Sequence, residues 1–314
     1  MNIRLTGIFT LRAPLSHIGE SISTTAYLVQ EPLMQPDGGV EEVFCYSGNA
    51  WRGQLRDLSA AYMLEKLGNA RVPLDTFHLL FSGGRIGGEQ VVDIPAAMRL
   101  REAVPHISIF GGGIGNQILA GKLRVGNCYP ICREAAVALP KALHTERSYR
   151  GMTFEKSFSR RDDARDGSKS SFLPPPDRVL LEGATRAKED GPADQMRMSV
   201  ELLAAGVQLY TEIDALDVTE IELGCLTAAL HAFSRSPHVG GQANKGHGKV
   251  ALNYELMDLD TGEVQAFAQI ADGPALLAPP AQTAIAAYDQ HLRAQYDALL
   301  TEQGGQMRAL LGAA

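Results

Sequence analysis

The sequence predicts a mixed α+β fold, in which strands and helices alternate along the chain. Residues 2–12 and 249–259 alternate apolar and polar side chains, as half-buried strands do. Residues 49–67 and 220–233 instead repeat their apolar side chains at helical spacing. Because 45% of the 314 residues are hydrophobic, the chain can bury a sizeable core. We therefore expect one large domain, residues 1–314, that carries insertions.

The order of the strongest elements narrows the fold class. That order, β-α-β-β-α-β, is the arrangement of ferredoxin-like and RNA-recognition-motif (RRM)-like domains. We therefore expect an RRM-like palm with large insertions, and single-stranded RNA is a common occupant of the open face of such a sheet. The elements are strand 2–12, helix 49–67, strand 122–131, strand 198–213, helix 220–233 and strand 249–259.

The segments between these elements have weaker signals. Residues 15–21 are a predicted polar loop, and residues 22–42 are predicted to be irregular, with a turn at Asp37. Residues 196–213 could form a strand pair or one long strand bent around Gly206. The remaining predictions are a strand at 40–46, a helical and glycine-rich insertion at 68–120 with helices near 73–82 and 94–103 (the finger region), a strand at 264–271, and a C-terminal helix, 284–311, within 280–314.

Residues 141–195 differ in kind from the rest of the chain. They are poor in large apolar residues, and residues 147–169 carry seven basic and four acidic side chains, a local balance of +3. A long polar segment inside a compact domain is usually disordered or functional. Two alternatives remain open for this thumb-like insertion: a solvated flexible segment or a binding arm.

Residues 46–56, YSGNAWRGQLR, form the predicted start of the first helix. Ser47 and Asn49 are both candidate N-caps. A helix N-terminus with free amides attracts anions, and Arg52 and Arg56 lie four residues apart on one helix face. The segment could therefore bind phosphate, or it could be an ordinary amphipathic helix with two solvated arginines.

Composition limits the other functional classes. A net charge of −7 argues against a generally basic nucleic-acid binder but allows a local basic groove. We expect no membrane span, no secretory signal and a cytoplasmic location, with four reduced cysteines. The nucleotide-binding motifs are incomplete: residues 111–116 lack the last glycine of G-x-G-x-x-G, and His247 replaces the P-loop lysine. No catalytic constellation, metal site or cofactor is predicted.

Three ordered motifs resemble those of the RAMP (repeat-associated mysterious protein) superfamily. LSHIG at 15–19 is similar to its L-h-I-G start, and YSGNAWRGQLR at 46–56 is similar to I-P-G-S-S-L-R-G-x-L-R, with Asn49 and Trp51 as departures. VGGQANKGHGKV at 239–250 is similar to the late G-G-x-x-x-x-G-x-G-x-V loop. The resemblance spans residues 5–260. Within the superfamily, the chain most resembles the Cas-seven backbone subunits of CRISPR effector complexes, closest to the type IV form, the Csf-two family.

This resemblance implies a non-catalytic subunit that binds guide RNA, stacks head-to-tail with copies of itself, and supports target pairing without cleaving the target. It also implies that the target nucleic acid is DNA and that the partners are other CRISPR effector subunits and a helicase. The RNA-binding residues expected from the motifs and from the basic insertion are His17, Ser47, Gly48, Asn49, Trp51, Arg52, Gln54, Arg56, Arg147, Arg150, Arg160, Arg161, Gly240, Gly241, Asn244, Lys245, Gly246 and His247.

Two rival functions remain at this point. Type III relatives cleave RNA with an aspartate at a position where this chain has Thr25, which argues against that chemistry. A metal-dependent ribonuclease subunit of a type III-like complex would then have to use Glu20, Glu31 or Asp37. The other rival is a small-molecule enzyme with its site in the loop at 111–116.

Overall fold

The computed structural model describes residues 1–84, 87, 93–160 and 196–300. This part of the chain is mixed α+β, as predicted. Its helices are α1 (Gly48–Lys66), α2 (Leu74–Ser82), α3 (Ile94–Ala103), α4 (Pro105–Phe110), α5 (Glu220–Phe233) and α6 (Pro279–Leu300). Its strands are β1 (Ile3–Leu11), β2 (Ile18–Ile22), β3 (Thr25–Leu28), β4 (Gln30–Met34), β5 (Val40–Phe44), β6 (Gly112–Ile114), β7 (Gln117–Leu119), β8 (Leu123–Val125), β9 (Tyr129–Pro130), β10 (Thr153–Arg160), β11 (Met196–Leu203), β12 (Gln208–Ala215), β13 (Val250–Asp258), β14 (Val264–Ile270) and β15 (Leu276–Leu277).

The central sheet has the strand order β15-β14-β13-β1-β12-β8, and β9 also pairs with β12. Strand β1 lies between β12 and β13 and is antiparallel to both. Helix α1 follows β1 in the chain, and α5 connects β12 to β13. Both predicted helices and the predicted strands at 2–12 and 249–259 are therefore present in the predicted chain order.

Alternating burial along β1 explains how the sheet packs. Ile3, Leu5 and Phe9 are at most 2% exposed. On this face the Trp51 ring of α1 packs edge-on against Phe9, at 5.2 Å between ring centroids, and against Phe233 of α5, at 5.0 Å. The opposite face of β1 lines an open cavity of about 760 Å³. The sheet therefore has one face covered by helices and one accessible face.

A second sheet has the order β10-β11-β3-β2, with β11 parallel to β3. The predictions of a loop at 15–21 and of irregular chain at 22–42 are wrong, because these residues contain β2, β3 and β4. Every residue of β2 is exposed, so its sequence has no apolar periodicity that could reveal a strand. One of the two pairing partners of β3, strand β11, lies more than 170 residues away in the chain, and local sequence patterns do not encode such pairing.

Two predicted strands are divided in the structure. Residues 122–131 form two short strands, β8 and β9, which both pair with β12. Residues 196–213 form β11 and β12, which belong to different sheets and are separated by Gly206 at φ 91°. Residues 196–213 are therefore two strands on either side of Gly206 that do not pair with each other, and they are not the single bent strand that was the alternative.

The insertion at 68–120 has the predicted helices α2 and α3, together with α4. The glycine-rich stretch at 111–116, which one rival function needed as a ligand loop, leads into the β6–β7 hairpin. Gly111 has φ 70°, and a Cβ there would lie 2.5 Å from the Leu119 carbonyl oxygen. Close packing of the backbone therefore accounts for this glycine.

Residues 141–195 are described only up to Arg160, and the predicted C-terminal helix is described from Pro279 to Leu300. Helix α6 begins earlier than predicted because Pro279 and Pro280 occupy its first turn, where proline is tolerated. None of the helices in the described ranges is long and apolar enough to cross a membrane.

A buried histidine of α4 forms hydrogen bonds to helices α1 and α2. His106 of α4 is 1% exposed. Its Nε2 lies 2.9 Å from the carbonyl oxygen of Leu80, and its Nδ1 lies 3.0 Å from Ser59 Oγ. Nε2 must donate to the carbonyl, so neutral Nδ1 accepts from the serine. Burial lowers the pKa of His106 to about 4.

This pKa predicts acid sensitivity. The unfolded chain takes up a proton near the ordinary histidine pKa of about 6.5, whereas the folded chain resists it until about pH 4. Stability is therefore lost as the pH falls through this window, by roughly 2 kcal/mol between pH 7 and pH 5. Urea unfolding at pH 7 and at pH 5 should show a smaller loss of stability for a His106→Gln variant than for the wild type. An equal loss of stability in the two proteins would contradict the conclusion that buried His106 causes the acid sensitivity.

Candidate nucleic-acid interface

The start of α1 is capped within the protein. Ser47 Oγ accepts from the Ala50 amide at 3.1 Å, so Ser47 is the N-cap and Asn49 is an exposed residue of the first turn. The Gly48 amide donates to Asn127 Oδ1 at 2.9 Å. A Cβ on Gly48 would lie 2.2 Å from the Val125 carbonyl oxygen. Two of the amides expected to attract an anion therefore have partners in the protein, and packing against β8 accounts for Gly48.

Trp51 was expected to bind RNA, but it is a core residue. Its side chain has no exposed surface. Its indole Nε1 donates to Tyr254 Oη at 3.1 Å, and Tyr254 Oη lies 3.0 Å from Thr211 Oγ1. The prediction is wrong because the apolar stripe of α1, which includes position 51, faces the sheet.

Arg52 and Arg56 both bind backbone carbonyl groups at the C-terminal end of α4. Both guanidinium groups donate to the Phe110 carbonyl oxygen, and Arg56 also donates to that of Gly111 at 3.3 Å. Burial lowers the pKa of each side chain, and repulsion between the two lowers that of Arg56 further. Neither makes an ion pair with any residue in the described ranges. The two positive charges therefore meet neutral carbonyl groups.

The late glycine-rich loop, residues 238–248, joins the other two motifs. Gly241 donates its amide to the Ser16 carbonyl oxygen at 2.6 Å. Gln54 Nε2 of α1 donates to the His238 carbonyl oxygen at 2.7 Å. A Cβ on Gly240, at φ 73°, would lie 2.4 Å from the Ser16 carbonyl oxygen, so this glycine allows the loop to approach. Three segments that are far apart in the sequence thus meet at one surface.

His17 lies in the first of these segments and is half-buried. Its ring packs edge-on against Tyr46, at 5.0 Å between centroids, and near Phe44, at 6.4 Å. Burial lowers the pKa of His17 below its ordinary value. The ring is therefore a mainly neutral group beside the start of α1.

His247 is only 2% exposed, so it does not present its ring to solvent as the prediction required. Burial lowers its pKa, and the charges of Lys156 and Lys245 lower it further. The loop bends around it at Gln242 (φ 60°) and Gly246 (φ 82°). Asn244 and Lys245, which lie between these bends, and Gly246 itself are exposed.

Strand β10 adds two residues that the predicted site lacked. The ammonium groups of Lys245 and Lys156 lie 5.6 Å and 5.2 Å from the centroid of the half-buried Phe158 ring. Both lysines are exposed. The alternation of Phe154, Lys156 and Phe158 is the sequence signal for this surface, and the net charge of the segment alone does not reveal it. We call Lys156, Phe158 and Lys245 the lysine–phenylalanine cluster.

Two of the other predicted arginines, Arg147 and Arg150, lie outside this cluster. Arg147 and Arg150 are exposed in the connection before β10, and Arg147 lines a separate cavity of about 560 Å³. Arg160 is the last residue of β10, and Arg161 lies outside the described residues.

The three acidic residues that the rival nuclease function could use lie in β2, in β4 and in the β4–β5 turn. Glu20 is exposed on β2, and Asp37 accepts from the Gly39 amide in the β4–β5 turn. Glu31 accepts from Asn127 Nδ2 at 3.0 Å and from Tyr129 Oη at 2.5 Å. In the described part of the chain, no three His, Cys, Asp or Glu side chains are placed to hold a metal ion.

Comparison with known proteins supports the fold. No protein-family model matches the sequence, and none of the curated proteins matches it. A chain of a solved Type IV-B CRISPR Complex aligns with a TM-score of 0.57 and 22% identity, over 80% of this chain and 90% of that chain. The crystal structure of Thermofilum pendens Csc2 aligns with a TM-score of 0.41 and 12% identity, over 95% and 76% of the two chains. The expectation of a fold shared with type IV CRISPR complexes is therefore confirmed.

Proposed function

We propose that this chain is a guide-RNA-binding backbone subunit of a type IV CRISPR ribonucleoprotein, with a binding and not a catalytic role. The observation that carries the proposal is the lysine–phenylalanine cluster, in which the late loop meets strand β10. The fold shared with a chain of a Type IV-B CRISPR Complex supports the same function.

The cluster has the chemistry of a sequence-independent site for single strands. The exposed ammonium groups of Lys156 and Lys245 can bind phosphates, and their shared contact with the Phe158 ring holds the two cations close together. Phosphate contacts position a strand without reading its sequence. A guide holder must accept any spacer sequence, and such a site satisfies that requirement.

The fold suggests how the parts of the subunit divide this work. We infer that strands β13, β1, β12 and β8, with α1 and α5, form an RRM-like palm. The paired strands β10 and β11 are then the described base of the thumb-like insertion. Because the cluster joins β10 to the late loop, the guide would pass between palm and thumb.

A chain with a net charge of −7 can bind RNA tightly if many copies share one guide. A head-to-tail interface that does not close on itself produces a helical filament. Each copy then contributes a few local cations, and the contacts add along the strand. A DNA target, further effector subunits and a helicase complete the proposed assembly.

The experiment that tests this function is isolation of the protein from cells that also produce its CRISPR RNA. We expect a large species that contains RNA of one length. The guide RNA sets the number of protein copies in the complex, so guides of one length give complexes of one size. Isolation of a nucleic-acid-free monomer under these conditions would contradict the proposal.

A further inference from the structure

The inference concerns the accessible face of the central sheet. The cavity of about 760 Å³ on this face is lined by β1, β12, β13, the end of β14 and residues 140–143. The cavity of about 560 Å³ adjoins it, because Ile8, Ala142, Leu143 and Gln208 line both. The two cavities therefore form one continuous depression, which we call the open-face groove.

Carboxylate groups dominate one end of the groove. Strand pairing places Glu212 of β12 and Glu255 of β13 on either side of β1. Arg4 of β1 lies within ion-pair distance of Asp214 and Glu212, at 2.6 Å and 3.5 Å, and β8 places Arg124 beside Asp214. Three carboxylates thus meet two guanidinium groups. Single-stranded RNA is a common occupant of such sheet faces, but a polyanion requires a surplus of positive charge.

The other end of the groove is apolar and basic. Ile8 and Leu143 are half-buried there. Arg12 and Arg147 line the groove with exposed side chains, and neither forms an ion pair within the part of the chain that the structure describes. Guanidinium groups recognise carboxylates, so this end fits a partner that is both apolar and acidic.

The β4–β5 hairpin of this chain has both properties. Residues 30–44 contain four carboxylates and no Lys, Arg or His. Met34 and Val40 lie directly opposite each other near the tip, and they are 71% and 58% exposed. Every residue from 36 to 42 is exposed as well. The hairpin therefore presents an apolar pair with acidic side chains around it.

The chain does not place its own hairpin in its own groove. Gln35 Nε2 donates to the Glu134 carbonyl oxygen at 2.9 Å, which holds the hairpin beside that segment. None of residues 30–44 lines either cavity. A hairpin that fills the groove must therefore come from another molecule.

We infer that the β4–β5 hairpin of one copy of this chain inserts into the open-face groove of a second copy. The apolar pair of the hairpin then packs on the apolar end of the groove, and its carboxylates face Arg12 and Arg147. This inference rests on the proposed function, in which copies stack, and it specifies the two surfaces that join. Because these surfaces differ, each copy can donate one hairpin and receive another, so the contact extends into a chain of copies.

The test uses protein freed of RNA, so that self-association is measured apart from RNA binding. Sedimentation should show that the wild type associates as its concentration rises. A hairpin variant, Met34→Asp with Val40→Thr, should associate at least roughly tenfold more weakly, because each apolar side chain buried in a contact contributes about that factor.

A groove variant, Arg12→Glu with Ala142→Glu, should be weakened to a similar degree. Both residues are exposed and line the groove, so the substitutions add bulk and negative charge where the hairpin would lie. The four substituted side chains of the two variants are exposed in the wild type, so both proteins should fold. Their melting temperatures check this expectation.

A mixture of the two variants distinguishes this contact from any other. The hairpin variant keeps an intact groove, and the groove variant keeps an intact hairpin. At a concentration where the wild type is associated, each variant alone should be mainly monomeric. Their equal mixture should form a heterodimer that grows no further, because only one intact hairpin and one intact groove can join.

The control is an α3 variant, Ile94→Thr with Met98→Asp. It also removes two exposed apolar side chains, and neither residue lines the groove. This variant should associate as the wild type does. The inference is overturned if the control is weakened equally, if the hairpin variant associates like the wild type, if the mixture forms no heterodimer, or if the wild type stays monomeric at every concentration.

RNA binding separates the inference from the proposed function. A hairpin variant that loses self-association and binds oligouridine like the wild type supports the inference. A groove variant that keeps self-association and loses oligouridine binding would show that RNA occupies the groove, and the inference would be overturned. If the wild type associates through these surfaces but binds no RNA, the proposed function is overturned and the contact between copies stands.

Discussion

Replacing Lys156 and Lys245 together by glutamate should weaken RNA binding at least about 100-fold. Each exposed ammonium group can form a charge-assisted contact with phosphate, and such contacts contribute roughly 1.5 kcal/mol or more. The substitution also places two carboxylates beside the strand. Fluorescence anisotropy with labelled oligouridine measures the affinity, and the slope of affinity against salt should become shallower because fewer counterions are released.

The control for this variant must change the net charge equally. Arg99→Glu with Arg293→Glu does so, because both arginines are exposed, on α3 and α6, away from the cluster. We expect this control to bind oligouridine within about twofold of the wild type, since exposed charges beyond the Debye length of about 10 Å are screened at moderate salt. Equal losses in the two variants would mean that total charge, and not the lysine–phenylalanine cluster, determines binding.

Replacing Trp51 by alanine should destabilise the fold by about 3–5 kcal/mol, the range for truncating a buried tryptophan. The ring contacts Phe9 and Phe233, which come from β1 and α5, so its loss leaves a cavity between the sheet and both helices. Tyr254 Oη also loses the hydrogen bond from the indole. Chemical unfolding measures the change in the free energy of unfolding.

A Trp51→Phe variant distinguishes the core role from the originally expected role in RNA binding. It keeps an aromatic ring in the core, so most of the protein should remain folded. Its affinity for oligouridine at low temperature should equal that of the wild type. A large loss of affinity in a folded Trp51→Phe protein would contradict the placement of this residue.

The elements that can be predicted from sequence are those with regular burial. Helix α5 has a Thr219 capping box and a nearly continuous apolar surface, and its predicted limits, 220–233, agree with the structure. Strand β2 could not be predicted in the same way. All of its residues are exposed, and its extended conformation is held by its pairing with β3. Local sequence patterns therefore identify the elements whose own side chains are buried.

The site was only partly predictable for a related reason. The three motifs were identified separately, and the structure brings them together through Gln54 and Ser16. Sequence spacing could not distinguish a buried histidine, His247, from an exposed lysine, Lys245, two residues away. It also could not place Phe158 beside that lysine, because their contact joins strand β10 to the late loop, about 90 residues further along the chain.

The most direct test of RNA binding is the ratio of absorbance at 260 and 280 nm across a sizing column, for protein expressed with its own CRISPR RNA. The proposed function predicts an early-eluting species with a high ratio, whose extracted RNA has a single length. The Lys156→Glu, Lys245→Glu variant should lose this species and elute as RNA-free protein. A wild-type protein that elutes as a monomer with the ratio of pure protein would contradict the proposal that this chain is a guide-RNA-binding backbone subunit.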